Sequence, residues 1–140
     1  MNVSDIMTRE VDLIEEAEPL VNVARIMRDD DIGSIPVRDG DKLVGIITDR
    51  DIVVRALAAG KGLDGLTVKD AMTTTVLYCF EEWSVEEAAA NMAQNRIRRL
   101  PVVNSSHELV GILSLGDICR AVDLSAAGAA LGEISSAQMH

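Results

Sequence analysis

The chain is written twice, and that repetition narrows its possible folds more than any other feature. Val3, Asp5, Met7 and Thr8 recur in the same order and spacing as Val68, Asp70, Met72 and Thr73. Leu20, Ala24 and Met27 recur as Val85, Ala89 and Met92, and Ile35-Pro36-Val37 as Leu100-Pro101-Val102. Leu43-Val44-Gly45-Ile46-Ile47-Thr48 matches Leu109-Val110-Gly111-Ile112-Leu113-Ser114, and Asp51-Ile52 matches Asp117-Ile118. The second copy is a residue longer in the turn Asn104-Ser105-Ser106-His107-Glu108, where an insertion costs little.

Each copy predicts the same elements. A short strand at 10–14 and at 74–80 leads into a helix whose start is well marked. Pro19 suits an opening turn, and Ser84-Val85-Glu86-Glu87 reads as a capping box. Leu20, Val23, Ala24 and Met27 fall at i, i+3, i+4 and i+7, as do Val85, Ala88, Ala89 and Met92, so each helix buries one aliphatic stripe. Two strands follow around a polar turn, 34–38 to 42–48 at Asp39-Gly40 and 100–104 to 109–114. A second helix closes each copy, from about 50 to 59 and from about 116 onward. Pro36 and Pro101 are expected on an edge strand, where no ladder donor is needed. Gly60-Lys61-Gly62-Leu63-Asp64-Gly65 reads as the linker.

The prediction is an α+β fold of two tandem repeats, each β-α-β-β-α, packed face to face with pseudo-two-fold symmetry. The repeats occupy 1–62 and 63–124, and 125–140 form an Ala-, Gly- and Ser-rich tail. A unit of roughly 60 residues buries too little surface to be secure alone. Pairing two such units answers that need and leaves equivalent clefts between them.

Composition bounds the function. Apolar residues are 48% of the chain and aromatics only 2%, so the core must be aliphatic. A net charge of -10 argues against binding to a phosphate backbone and against adsorption to anionic lipid. No stretch approaches the roughly 18 apolar residues of a membrane helix. The N-terminus lacks the basic cluster and apolar run of a secretory signal, and a cytoplasmic location is expected. Cys79 and Cys119 are expected as two buried, reduced thiols. His107, in the variable turn, and His140, the last residue, have no partner at metal-ligand spacing; both are expected to be exposed. With only those histidines no catalytic triad can be assembled, and neither GxGxxG nor GxxxxGK[ST] occurs. Neither an enzyme nor a metal site is expected. Trp83, beside Ser84, is expected to pack against its helix as a staple. Glu15, Glu16 and Glu18, like Asp29-Asp30-Asp31, read as solvated helix edges.

Chemistry concentrates at Gly45-Ile46-Ile47-Thr48-Asp49-Arg50-Asp51 and Gly111-Ile112-Leu113-Ser114-Leu115-Gly116-Asp117. Both run glycine, two apolar residues, Thr or Ser, two free positions, Asp. A strand ending at Thr48 or Ser114 leaves a hydroxyl at the turn, and the Asp falls in the first turn of the next helix, whose N-terminus favours its charge. A carboxylate there can accept from both hydroxyls of a ribose; the same residues also suit a helix cap. Together with the upstream apolar-Pro dipeptide and the Met-Thr opening, this pattern resembles the cystathionine-β-synthase (CBS) domain family, whose tandem pairs are called Bateman modules. The resemblance runs from about residue 3 to 122.

The resemblance implies a stand-alone regulatory module. An adenosine-containing ligand (AMP, ADP, ATP, NAD or S-adenosylmethionine) would bind between the repeats, and a partner protein would read the change. It assigns the ribose to Asp117 and Asp51, and hydroxyl contacts near ribose or phosphate to Ser114 and Thr48. It assigns the base to Leu100, Pro101, Ile35 and Pro36, positions where a plain core role needs the same apolar side chains. Phosphate falls to Arg99, Arg98 and Arg50, and guanidinium forks suit that task. The copies differ here: Gly33-Ser34 stands where the second has Arg98-Arg99, and Gly116 stands where the first has Arg50. A homodimer formed through apolar helix faces is also implied. The alternative is an interaction adaptor of the same fold and dimer that binds no metabolite. The negative net charge favours that alternative and the arginine cluster opposes it.

Overall fold

The computed structural model describes residues 1–10, 12–60 and 62–121; the expected tail and His140 lie outside them. The chain forms two compact units, Asp12–Val76 and Met1–Val11 with Leu77–His140. They are named below for their central carboxylates, Asp51 and Asp117. Their boundaries do not coincide with the sequence copies. The opening of the first copy packs with the sheet of the second, and the opening of the second with the sheet of the first.

The Asp51 unit contains β1 (Ile14–Glu15), α2 (Leu20–Asp30), β2 (Ser34–Asp39), β3 (Lys42–Thr48), α3 (Asp49–Asp51) and α4 (Val68–Ala71). After α3 the chain continues as a π-helix, Ile52–Leu57, so the second helix covers much of the expected 50–59. The Asp117 unit contains α1 (Val3–Ile6), β4 (Cys79–Phe80), α5 (Val85–Asn95), β5 (Arg99–Val103), β6 (Leu109–Ser114) and α6 (Leu115–Ala121). Each sheet has the order β1-β2-β3 or β4-β5-β6, with a parallel first pair and an antiparallel hairpin.

The proline strands are central, not edge strands as expected. β1 pairs with β2 only from Val37 onward, and β4 with β5 only from Val102 onward. Pro36 and Pro101 therefore lie just ahead of the parallel ladder, where a missing N–H removes no bond on that side. The helices stop where α2 and α5 meet a residue in the left-handed region, Asp31 at φ 54° and Arg96 at φ 58°, a common way to end a helix.

The aliphatic stripes build the two cores as expected. Leu20, Val23 and Met27 pack with Ile35, Val37, Ile47, Ile52 and Val68. Val85, Ala88, Ala89 and Met92 pack with Val3, Leu100, Val102, Leu113 and Ile118. Trp83 is half-buried against the second of these cores, in keeping with a staple. Glu15 is a residue of β1 and not a helix edge.

The single-turn helices α1 and α4 are clamped at the start of the long helices. Val3 N–H donates to Trp83 O at 2.9 Å and Val85 N–H to Met1 O at 3.2 Å; Val68 N–H donates to Glu18 O at 3.0 Å and Leu20 N–H to Leu66 O at 2.9 Å. The chain then runs through Met-Thr along the hairpin's outer strand. Thr8 and Ile112 exchange backbone bonds of 2.8 and 2.9 Å, as do Thr73 and Ile46. A Cβ at Gly111 would stand 2.8 Å from Thr8 O and 2.9 Å from the Met7 sulfur; one at Gly45 would meet Thr73 O and the Met72 sulfur at the same distances. The motif glycine and the Met-Thr opening are two sides of one close contact.

The cysteines differ, against expectation: Cys79 is buried and Cys119 exposed, because Cys119 lies on the outward side of α6. Burial pushes the Cys79 thiol up to about 12.

Two outcomes follow. Gly111→Ala forces the Thr8 carbonyl away and should destabilise by about 1–3 kcal/mol, the usual range for overpacking, seen as a lower midpoint in denaturant. Ala at Gly40, where nothing lies within 4 Å, meets only its φ of 61° and makes no such clash. A thiol reagent at pH 8 should titrate Cys119 quickly and Cys79 only after unfolding. Because the folded Cys79 value lies above the ordinary 9.0, stability should fall as pH rises from 9 toward 12, where only the unfolded chain ionises. A Cys79→Ala variant should lack that slope.

Candidate functional site

Thr48 ends β3 in extended conformation and caps α3: Asp51 N–H donates to its Oγ1 at 3.0 Å, and Thr48 N–H donates back to Asp51 Oδ2 at 3.0 Å. Ser114 and Asp117 repeat this box at 3.1 and 2.9 Å. Asp51 and Asp117 are the two buried charged residues among those described, 8% and 6% exposed. A buried carboxylate without partners would be costly, and both have them. The Thr73 hydroxyl donates to Asp51 Oδ1 at 3.2 Å, and the Thr8 hydroxyl to Asp117 Oδ2 at 3.4 Å. Arg55 pairs with Asp51 at 3.6 Å while donating to Met72 O at 3.1 Å. Arg120 forms a short ion pair with Asp117 at 2.5 Å.

Sequence reasoning missed four of these side chains: Thr8, Thr73, Arg55 and Arg120. Their signals were present. Met-Thr was visible in both copies, and each arginine stands one helical turn beyond its Asp, a spacing that pairs side chains on one face. A carboxylate has about four lone-pair directions. Asp117 uses them on the Ser114 amide, the Thr8 hydroxyl and Arg120, so capacity for another donor is limited unless Arg120 or Thr8 moves.

The hairpin register places Arg99 directly across from Ser114, and Ser34 across from Thr48. Leu115 N–H donates to Arg98 O at 2.8 Å, and Asp49 N–H to Gly33 O at 2.9 Å. The correspondence of Gly33-Ser34 with Arg98-Arg99 therefore holds bond for bond. Arg98 and Arg99 are exposed, as is Arg50 on α3. Arg50 N–H donates to Asp49 Oδ1 at 2.8 Å. Ile35 and Leu100 are 1% and 0% exposed, each within its unit's core, and Pro36 and Pro101 are buried beside them.

The structure thus gathers Asp117, Ser114, Arg99, Thr8 and Arg120 in one unit, and Asp51, Thr48, Thr73 and Arg55 in the other. His107 is not exposed as expected. It is half-buried at φ 64°, with its ring edge-on to Tyr78 at 4.8 Å. Asp29 pairs with Arg28 at 2.8 Å, which lowers its carboxyl, while a hydrogen bond to Asp30 raises Asp12. No group of three or more His, Cys, Asp or Glu among the described residues is placed to hold a metal. Among the same residues no helix is long and apolar enough to cross a membrane.

The chain is similar in sequence and fold to known proteins. The chain is 38% identical to the CBS domain-containing protein YhcV of Bacillus subtilis, over 99% of both chains. Its fold matches the crystal structure of hypoxic response protein I with two coordinated zinc ions, a protein of Mycobacterium tuberculosis, at TM-score 0.75 and 36% identity, covering 88% of this chain and 100% of that one. It also matches Arabidopsis thaliana CBSX2 in complex with AMP, at TM-score 0.73 and 28% identity, covering 86% of this chain and 94% of that one. The CBS domain model matches twice, at residues 3–57 and 68–124. With both matches spanning the glycine, the hydroxyl and the buried Asp, the chain belongs to the CBS domain family as a tandem pair.

Proposed function

We propose that this CBS pair is a regulatory sensor that binds an adenosine-containing nucleotide at the Asp117 site and signals to a partner protein. One observation carries the reading: a nearly buried carboxylate, Asp117, lies beside Ser114, and an exposed arginine, Arg99, stands across the hairpin from that serine. Such a grouping offers acceptors for the ribose hydroxyls and cations for phosphate within one strand pair. The AMP complex of CBSX2 supports the ligand class. In this reading Asp117 anchors the ribose, Ser114 lies near ribose or phosphate, and Arg99 with Arg98 holds phosphate. Asp51, Thr48 and Arg50 form the corresponding site of the other unit. Leu100, Pro101, Ile35 and Pro36 shape the base's resting place through the strand backbone, since their side chains close the cores. AMP, ADP, ATP, NAD and S-adenosylmethionine are the ligands to screen.

Ribose binding competes with the pairs already present, so Arg120 must yield Oδ1 or share it. A ligand transmits nothing unless it favours one arrangement over another, and the Thr8–Asp117–Arg120 set is an arrangement it would change. The signal passes to a protein partner; no enzymatic step is involved, and the setting is cytoplasmic.

The test separates anchor from cap. Wild-type protein should bind AMP well and 2′-deoxy-AMP poorly by calorimetry. Asp117→Asn should bind AMP more weakly and lose most of that preference, because both changes remove one interaction. A carboxylate that only caps its helix should be replaced by Asn at little cost, with the ribose preference intact; that outcome would favour the metabolite-free adaptor.

The module is also proposed to act as a homodimer. Val53, Val54 and Leu57 stand 53%, 46% and 53% exposed on the π-helix, an apolar face that a partner copy would cover. Sedimentation at micromolar concentration should give about twice the 15.0 kDa chain mass, and Val53→Lys with Leu57→Lys should return the monomer.

A further inference from the structure

The two sites share their carboxylate, hydroxyl cap, threonine and arginine, yet their rims differ in charge. Around Ser114 the rim carries Arg98 and Arg99, followed by Leu115 and Gly116. Leu115 is 7% exposed and its side chain packs inward. Around Thr48 the rim carries Gly33 and Ser34, followed by Asp49 and Arg50. Asp49 is exposed, and its carboxylate turns back over the neighbouring strand: a Cβ at Gly33 would lie 3.2 Å from Asp49 Oδ2 and 3.6 Å from Oδ1. Gly33 occupies the position of Arg98. A negative group therefore fills the place where the Asp117 unit begins a positive one.

We propose that the sites divide their ligands by charge. The Asp117 site takes a phosphorylated adenosine, and the Asp51 site takes an adenosine whose 5′ end is uncharged or cationic, with Asp49 as the residue that turns phosphate away. This rests on the reading above, in which the residues at 98 and 99 face the phosphate. Two positive side chains there favour a phosphate dianion. In the Asp51 unit the rim's two charged side chains, Asp49 and Arg50, are of opposite sign, and together they offer no net positive charge. Like charges about 4–5 Å apart in a solvated site repel enough to weaken binding roughly five- to tenfold. A thioether or an amino group at the 5′ carbon meets no such penalty, and a cation gains from the same carboxylate.

The probes are AMP and 5′-methylthioadenosine, titrated into the full chain by calorimetry, alone and in competition. Wild-type protein should bind AMP at one site per chain, and AMP should leave a methylthioadenosine site that it does not displace. Asp49→Asn should tighten AMP at that second site by roughly five- to tenfold with methylthioadenosine affinity unchanged. Asp49 is exposed, so the variant should fold, and Asp49→Ser should give the same gain. Arg99→Ala should abolish the first AMP site and spare the second methylthioadenosine site. If AMP displaces all the methylthioadenosine, or if both Asp49 variants leave AMP binding as it was, the division by charge is wrong while the nucleotide reading stands. If wild-type protein binds neither probe, both fail together.

Discussion

The architecture depends on a strand edge that a methyl group would spoil. Met7-Thr8 lies so close over Gly111 that its carbonyl would sit 2.8 Å from any Cβ there, and Met72-Thr73 lies equally close over Gly45. That approach brings the backbone of each opening into two short bonds with the hairpin's outer strand. It also carries the threonine hydroxyl to the carboxylate that begins the next helix. Without the glycine the opening would stand off, Asp117 or Asp51 would lose a donor, and the unit would lose the valine, Val3 or Val68, that completes its core.

This contact explains why repeat and unit boundaries disagree. A copy read along the sequence starts at Val3 or Val68, but the glycine that receives each opening belongs to the other copy. Self-similarity reports what was duplicated; packing reports what closes each core. The stripes on α2 and α5, the hairpins and the caps were all legible, because periodicity and cap chemistry are local. The partnership of Thr8 with Asp117 was not, because the two are far apart in sequence and a threonine after a methionine has no periodic signature. The prolines were misplaced for a related reason. Sequence shows that Pro36 and Pro101 lack a donor, but not that the parallel neighbour begins one residue later. Cys119 and His107 went astray because base rates stand in for an unknown neighbour, open surface in one case and the Tyr78 ring in the other.

The buried carboxylates serve two purposes that pull against each other. As caps they accept the Thr48 and Ser114 amides, which holds the helix start to the strand end. Burial to this degree carries a desolvation cost that Arg55 and Arg120 offset. An arginine already on the carboxylate makes each site stable when empty, and it also sets a threshold for any ligand hydroxyl that would share the oxygens. The Asp51 pair is the looser of the two, at 3.6 Å. Arg55 therefore holds its carboxylate less closely than Arg120 holds Asp117.

That difference is not the only one between the two copies. The contacts that close each unit are matched almost atom for atom, from the capping boxes to the glycine approach. Beside the capping boxes, however, the copies differ in charge, at 33 and 34 against 98 and 99 and at 49 and 50 against 115 and 116. Leu115 is buried and packs beside Ala93. Its counterpart Asp49 cannot do so as a charged group, and instead turns outward beside Gly33, where a Cβ would lie 3.2 Å from its Oδ2. The first copy thus carries an exposed negative charge where the second has a buried apolar anchor, with the strand, the cap and the buried carboxylate alike in both.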